Sequence, residues 1–154
     1  MNKVKLTINY SLPPLKRRNI GPEEEEQETY PLLPIILYCK GKKTPPIEGL
    51  VDSGSDGLFI PRRIADFLGL ERGAPVQSTG VDGAYDAFRT DVGIVIGRGG
   101  KDREADLGII EATVPANDKD VPVLIGRHPI FDEYQIIFEE YKKRFIMNPK
   151  EKAL

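Results

Sequence analysis

Apolar residues in this chain come in short runs, and glycine or proline closes most of them. With 15 glycines and 13 prolines in 154 residues, long uninterrupted helices are disfavoured, because both residues destabilise helix interiors. The runs themselves alternate. Val4-Lys5-Leu6-Thr7-Ile8-Asn9-Tyr10 puts apolar side chains on every second residue, the period of a half-buried strand. Pro13 and Pro14 end that strand, since proline lacks a ladder donor. The same reading predicts strands at Pro31–Tyr38, Ile47–Val51, Val76–Thr79, Tyr85–Thr90, Val92–Ile96, Ala105–Thr113, Val121–Ile125, Gln135–Phe138 and Arg144–Met147. The period changes between Pro61 and Leu70, where Ile64, Ala65, Phe67 and Leu68 predict one apolar stripe on a short helix opened by proline. Pro129–Tyr134 predicts a second helical turn. The fold class is mostly β with one or two short helices.

The composition narrows the function classes. Hydrophobic residues make up 40% and charged residues 30%, a globular balance at a length suited to one ordinary domain. The net charge of −2 gives no general pull towards nucleic acid or an anionic membrane. The basic cluster Lys142-Lys143-Arg144 reads as a solvated turn, and the acidic run Glu23–Glu26 as a solvated loop. The longest apolar stretches, such as Leu32–Tyr38, fall far below the roughly 20 residues of a membrane-spanning helix. No apolar leader block follows Lys3 and Lys5, so the expected location is cytoplasmic. One cysteine, Cys39, and one histidine, His128, make thiolate zinc clusters and multi-histidine metal sites poor expectations. No metal or organic cofactor is expected. Cys39 reads as a buried or half-buried structural thiol and His128 as a helix-start or surface residue. Gly97-Arg98-Gly99-Gly100 lacks the Gly-Lys-Ser/Thr sequel of a phosphate loop and reads as a hairpin turn. Carboxylates are plentiful, at 24 Asp plus Glu, and carboxylate chemistry is the first to consider.

The segment Ile47-Glu48-Gly49-Leu50-Val51-Asp52-Ser53-Gly54-Ser55-Asp56-Gly57 places an acid at the end of an apolar strand. A hydroxyl that can satisfy turn backbone follows, then a glycine that permits close approach or an unusual φ. Asp52 is thus presented from a rigid support. Taken alone, Asp-Ser-Gly is a weak signal and reads as an Asx-type turn after a strand.

Four segments in order give the tripeptide a context, and together they resemble the retropepsin-like aspartic proteases. Leu50-Val51-Asp52-Ser53-Gly54-Ser55 is similar to the catalytic box of that family, with Ser55 where alanine is commonest. Leu58–Leu70 is similar to the strand and helix that follow it. Ser78-Thr79-Gly80-Val81-Asp82-Gly83-Ala84 lies where the family carries its glycine-bearing flap, here with Asp82 and two glycines. Val123-Leu124-Ile125-Gly126-Arg127 is similar to the apolar-apolar-Gly-Arg motif. The resemblance spans residues 31–147. It implies a closed-barrel-like acid-protease fold, preceded by an extension over 1–30 that can add a strand and a polar loop, and followed by a tail over 148–154.

The resemblance implies a peptide hydrolase in which Asp52 is catalytic and Ser53, Gly54, Asp56 and Arg127 support its loop. Asp56 and Arg127 are expected to pair, because the planar guanidinium fork matches a carboxylate. Gly80, Val81, Asp82 and Gly83 are expected in the flap, and Val81 and Leu124 are placed like substrate-pocket residues. This chemistry needs two carboxylates that share one proton. The chain holds a single Asp-Ser-Gly: Asp106-Leu107-Gly108 lacks the hydroxyl and Asp82-Gly83 falls in the flap. The resemblance therefore implies a homodimer acting on a peptide or protein substrate. The alternative function is a retropepsin-fold dimerisation or peptide-binding module with little or no catalysis, since fold does not dictate activity. An unrelated small β-barrel binding module is the third, weaker reading.

Overall fold

A barrel forms because the central runs are long enough to pair on both edges. Strand β2 (Leu32–Cys39) pairs antiparallel on one edge with β4 (Ile47–Val51), from Leu32↔Leu50 to Ile35↔Ile47. Its second half pairs on the other edge with β7 (Gly83–Gly97), from Ile35↔Ile96 to Tyr38↔Gly93. The computed structural model describes residues 4–13, 28–80, 83–98, 103–117 and 121–151. Around the barrel the order is β2, β4, β9 (Val123–Ile125), β5 (Leu58–Phe59), β8 (Glu104–Pro115) and β7, which returns to β2. Six strands therefore close on one another, and inside this ring no edge is left open. The two-residue β3 (Lys42–Lys43) extends the outer side of β2 as a hairpin. The Thr44 hydroxyl fixes that hairpin by accepting from the Leu37 N–H at 3.1 Å.

The interior is aliphatic. Leu33, Ile35, Leu37, Ile60, Ile94, Ile96, Val114 and Ile125 are fully buried. Each such side chain contributes about 2 kcal/mol relative to exposure. The alternation read from the sequence is therefore what fills the barrel.

The long excursion β6 (Pro75–Gly80) to β7 leaves the barrel as an antiparallel hairpin, from Pro75↔Phe88 to Gly80↔Gly83. The sequence predicts two strands at Tyr85–Thr90 and Val92–Ile96. The structure instead has one continuous strand of 15 residues, because β8 pairs along almost all of it, from Ala87↔Pro115 to Gly97↔Glu104. Asp91 does not break the strand, since its exposed side chain faces outwards.

Helix α1 (Arg62–Leu68) follows Pro61 and ends at Gly69, whose φ of 66° is the left-handed geometry that favours glycine at a helix C-terminus. Its buried face is narrower than the expected stripe. Ala65 and Leu68 are buried and Ile64 partly so, but Phe67 remains 56% exposed. Four residues, Ile130–Glu133, form α2.

A second, three-stranded sheet contains both ends of the described chain. Strand β11 (Arg144–Pro149) lies between β1 (Leu6–Asn9) and β10 (Tyr134–Glu139), antiparallel to both. A 3-10 turn at Glu140–Lys142 links β10 to β11. Leu6, Ile8, Tyr134, Phe145 and Met147 bury themselves against the barrel core. Residues 23–26, 99 and 100 lie outside the described residues. No helix among the described residues is long and apolar enough to cross a membrane.

Candidate active site

Asp52 begins where β4 ends. The N–H of Asp52 donates to the Ile125 carbonyl at 2.9 Å, so the residue is still anchored to β9. Strand β9 comes from more than seventy residues further along the chain. It runs parallel to β4, with Gly49↔Val123, Leu50↔Leu124 and Val51↔Ile125, and meets β5 on its other side at Phe59↔Leu124. The two strands flanking the Asp52 loop are thus separated by an inserted strand. That insertion forces the intervening residues to turn sharply at the mouth of the barrel.

The turn holds itself together by short-range bonds. The Gly54 N–H donates to Asp52 Oδ1 at 2.8 Å, and the Ser55 N–H donates to the Asp52 carbonyl at 3.1 Å. The Ser55 hydroxyl donates to the Gly57 carbonyl at 3.0 Å. A Cβ on Gly54 would lie 3.1 Å from Asp52 Oδ1, a tight contact. Glycine therefore serves close approach here, not unusual backbone geometry, for Gly54 does not adopt a positive φ. Asp52 is half-buried, whereas Ser53 and Gly54 are exposed. Among the described residues, Oδ2 of Asp52 has no hydrogen-bond partner.

The loop is clamped from behind by the chain leaving β9. The Arg127 N–H donates to the Ser55 carbonyl at 2.9 Å and the His128 N–H to the Asp56 carbonyl at 2.8 Å. The Arg127 guanidinium pairs with the Asp56 carboxylate, as the sequence leads one to expect. A Cβ on Gly126 would come within 2.3 Å of the Ser55 carbonyl oxygen and 2.7 Å of that of Gly57. Only glycine fits between these strands. His128 lies exposed at the rim, with Nδ1 2.6 Å from Asp132 Oδ2.

A cleft of about 820 Å³ opens over Asp52. Its floor is the Asp52–Gly57 loop with Phe59 and half-buried Leu124, and its roof is β6, from Val76 to Gly80. Tyr85 braces the roof, packing edge-on against Phe59 with ring centroids 6.1 Å apart. Gly80 and Gly83 face each other at the end of the β6–β7 hairpin. Val81 and Asp82 lie outside the described residues. The structure therefore gathers Asp52, Gly54, Asp56, Leu124 and Gly80 around one cavity, and Arg127 behind it.

Sequence reasoning does not find the side wall of the cleft. Arg89 of β7 and Glu111 of β8 form an ion pair there, beside Thr113. Alternation marks each as outward-facing, but their meeting depends on the β7–β8 register. Arg89 stands opposite Thr113, one diagonal step from Glu111, and draws off the charge that Glu111 would otherwise turn on Asp91 directly across from it. Among the described residues, no three His, Cys, Asp or Glu side chains are gathered as metal ligands. Half-buried Cys39 sits at the end of β2, outside the cleft.

No protein-family profile and no curated protein sequence matches this chain. A match among solved structures is the crystal structure of a retropepsin-like aspartic protease from Rickettsia conorii. It is 14% identical, covers 94% of this chain and 99% of its own, and superposes with a TM-score of 0.53. The fold is retropepsin-like, a mostly β closed barrel with, among the described residues, two short helices.

Proposed function

We propose that this protein is an aspartic endopeptidase whose active unit is a homodimer. The observation that carries this reading is Asp52 itself. It is an acid at the end of a barrel strand, oriented by its own loop through Oδ1, with Oδ2 unpartnered among the described residues, and it lines a cleft that a hairpin also lines. In the dimer, Asp52 and its symmetry mate share one proton. Two carboxylates this close do not both ionise readily. The ionised one takes a proton from water, and the water oxygen bonds to the scissile carbonyl carbon. The protonated one gives its proton to the carbonyl oxygen. Collapse of the resulting diol breaks the C–N bond: the carboxylate that gave its proton takes one back from a diol hydroxyl as the carbonyl re-forms, and the other carboxyl passes the proton it took from water to the leaving amine nitrogen.

The other residues serve geometry in this reading. Ser53, exposed at the outer edge of the turn, braces the loop against its mate. Gly54 keeps the approach to Asp52 open. The Asp56–Arg127 pair and the two backbone bonds beside it hold the loop at a fixed height. The β6–β7 hairpin closes over the peptide and excludes water, and Leu124 offers an apolar contact to a substrate side chain.

The test is cleavage of a diverse peptide library by the native protein and by Asp52→Asn. The substitution keeps the shape and removes the shared-proton chemistry. Cleavage should vanish while melting temperature and oligomeric state persist. Equal cleavage by the two proteins would place the chemistry elsewhere. Absence of cleavage by both, with peptides still bound in the cleft, would replace the enzyme with a peptide-binding module.

A further inference from the structure

Away from the cleft, a second groove of about 310 Å³ runs along β1. It is lined by Lys5, Leu6, Thr7, Ile8 and Asn9 on one side and by Gly97, Arg98 and Arg103 on the other. Two independent features coincide there. The first is charge. Lys5, Arg98 and Arg103 are exposed, and among the described residues none of the three forms an ion pair and no carboxylate lines the groove. Most of the other described cations, including Lys40, Arg62, Arg89, Arg127 and Arg144, have a carboxylate partner.

The second feature is backbone. Among the described residues β1 is the end strand of its sheet and pairs with β11 alone; past it, Ser11 bridges to Tyr30. Tyr10 N–H donates to the Lys143 carbonyl. Antiparallel alternation then turns the N–H and C=O of Ile8 and Leu6 towards β11, and those of Thr7 and Asn9 outwards. Among the described residues, an outward ladder edge and a set of cations without carboxylate partners therefore share one groove.

We infer that this groove binds an acidic polypeptide segment in extended conformation, which adds a strand to β1 and sets its carboxylates against Lys5, Arg98 and Arg103. Main-chain bonds to Thr7 and Asn9 would supply affinity, and the three cations would supply selectivity and orientation. Charge decides the occupant. A second copy paired through β1 would bring two such cationic sets together, and like charges across an interface oppose association. An acidic segment neutralises them instead. The inference is independent of Asp52 chemistry.

The experiment uses the full chain and a labelled decapeptide of alternating Glu and Thr, followed by fluorescence anisotropy at low and high salt. Binding should weaken as salt rises. The combined Lys5→Glu, Arg98→Glu and Arg103→Glu protein should lose affinity by about tenfold or more and should prefer the corresponding Lys-Thr peptide. Thr7→Pro removes an outward N–H that serves no bond among the described residues, and it should weaken peptide binding without lowering the melting temperature. If that variant does not fold, a peptide N-methylated at alternate residues makes the same test on the native protein. Unchanged affinity after charge reversal overturns the inference, as does full binding of the N-methylated peptide. An equally tight single-stranded oligonucleotide, insensitive to Thr7→Pro, would make the groove a general polyanion site and likewise overturn it. So would self-association that Thr7→Pro abolishes, because the edge would then join two copies.

Discussion

Arg127 and Asp56 lie 71 residues apart in sequence and meet at the Asp52 loop. Their ion pair is flanked by the backbone bonds Arg127 N–H to Ser55 and His128 N–H to Asp56. In the single chain Asp56 is 93% and Arg127 60% exposed. Water screens such a pair, and its worth there is about 0–1 kcal/mol. In the single chain the pair therefore adds little to the stability of the fold.

A double-mutant cycle should reveal this. Asp56→Ala and Arg127→Ala should each lower the melting temperature slightly, with a coupling below about 1 kcal/mol in the monomer. Coupling measured on the dimer dissociation constant should be larger, because a partner that covers the loop removes solvent from the pair. Strict additivity in both measurements would make the two residues independent surface charges.

Gly126 makes a sharper demand. A methyl group there collides with two carbonyl oxygens of the Asp52 loop. Gly126→Ala should cost about 2 kcal/mol or more, by displacing the loop from β9. Thermal melting reads the loss, and peptide cleavage should fall further than stability does. Native-like melting would show that the loop has room that the structure denies.

The pH profile of cleavage should be a bell. A shared proton requires one carboxylate charged and one neutral, so activity should fall on the acid side as both protonate and on the alkaline side as the shared proton leaves. The two apparent pKa values belong to the dyad as a unit. A hydroxyl-bearing mimic of the hydrolysis intermediate should bind most tightly within the bell. Activity that disappears on chelation of metal ions would contradict a carboxylate-only mechanism.

Tyr134 predicts an alkaline transition. Its hydroxyl is buried without a hydrogen-bond partner among the described residues. Burial, and secondarily the charge of Glu133, push its pKa from 10.0 up to about 12. The folded state thus favours the protonated phenol. The resulting stability is fully present below the ordinary phenol pKa near 10 and is lost as pH rises through about 12. Tyr134→Phe should flatten this loss, measured by denaturant unfolding between those limits. At neutral pH it should be neutral or stabilising, because it removes an unsatisfied polar atom. A marked destabilisation at neutral pH would mean that the hydroxyl has a partner.

The local sequence determined the elements and the position of the acid. Alternation at Val4–Tyr10 and the apolar run at Val121–Ile125 identify strands because side-chain direction repeats every second residue whatever the strand pairs with. Pro61 and Gly69 mark the ends of α1 through backbone preferences that act within a single turn. Asp52-Ser53-Gly54 could be read for the same reason, since its turn closes by bonds between residues two or three apart. Pairing is another matter. That β9 enters between β4 and β5, that β7 remains one strand along β8, and that Arg89 meets Glu111 are facts of register between distant segments. No local pattern encodes a register. It emerges only when the barrel closes and each strand has to bury its apolar face against the others at once. The cleft wall and the groove beside β1 belong to that closure, so only the tertiary structure could bring their residues together.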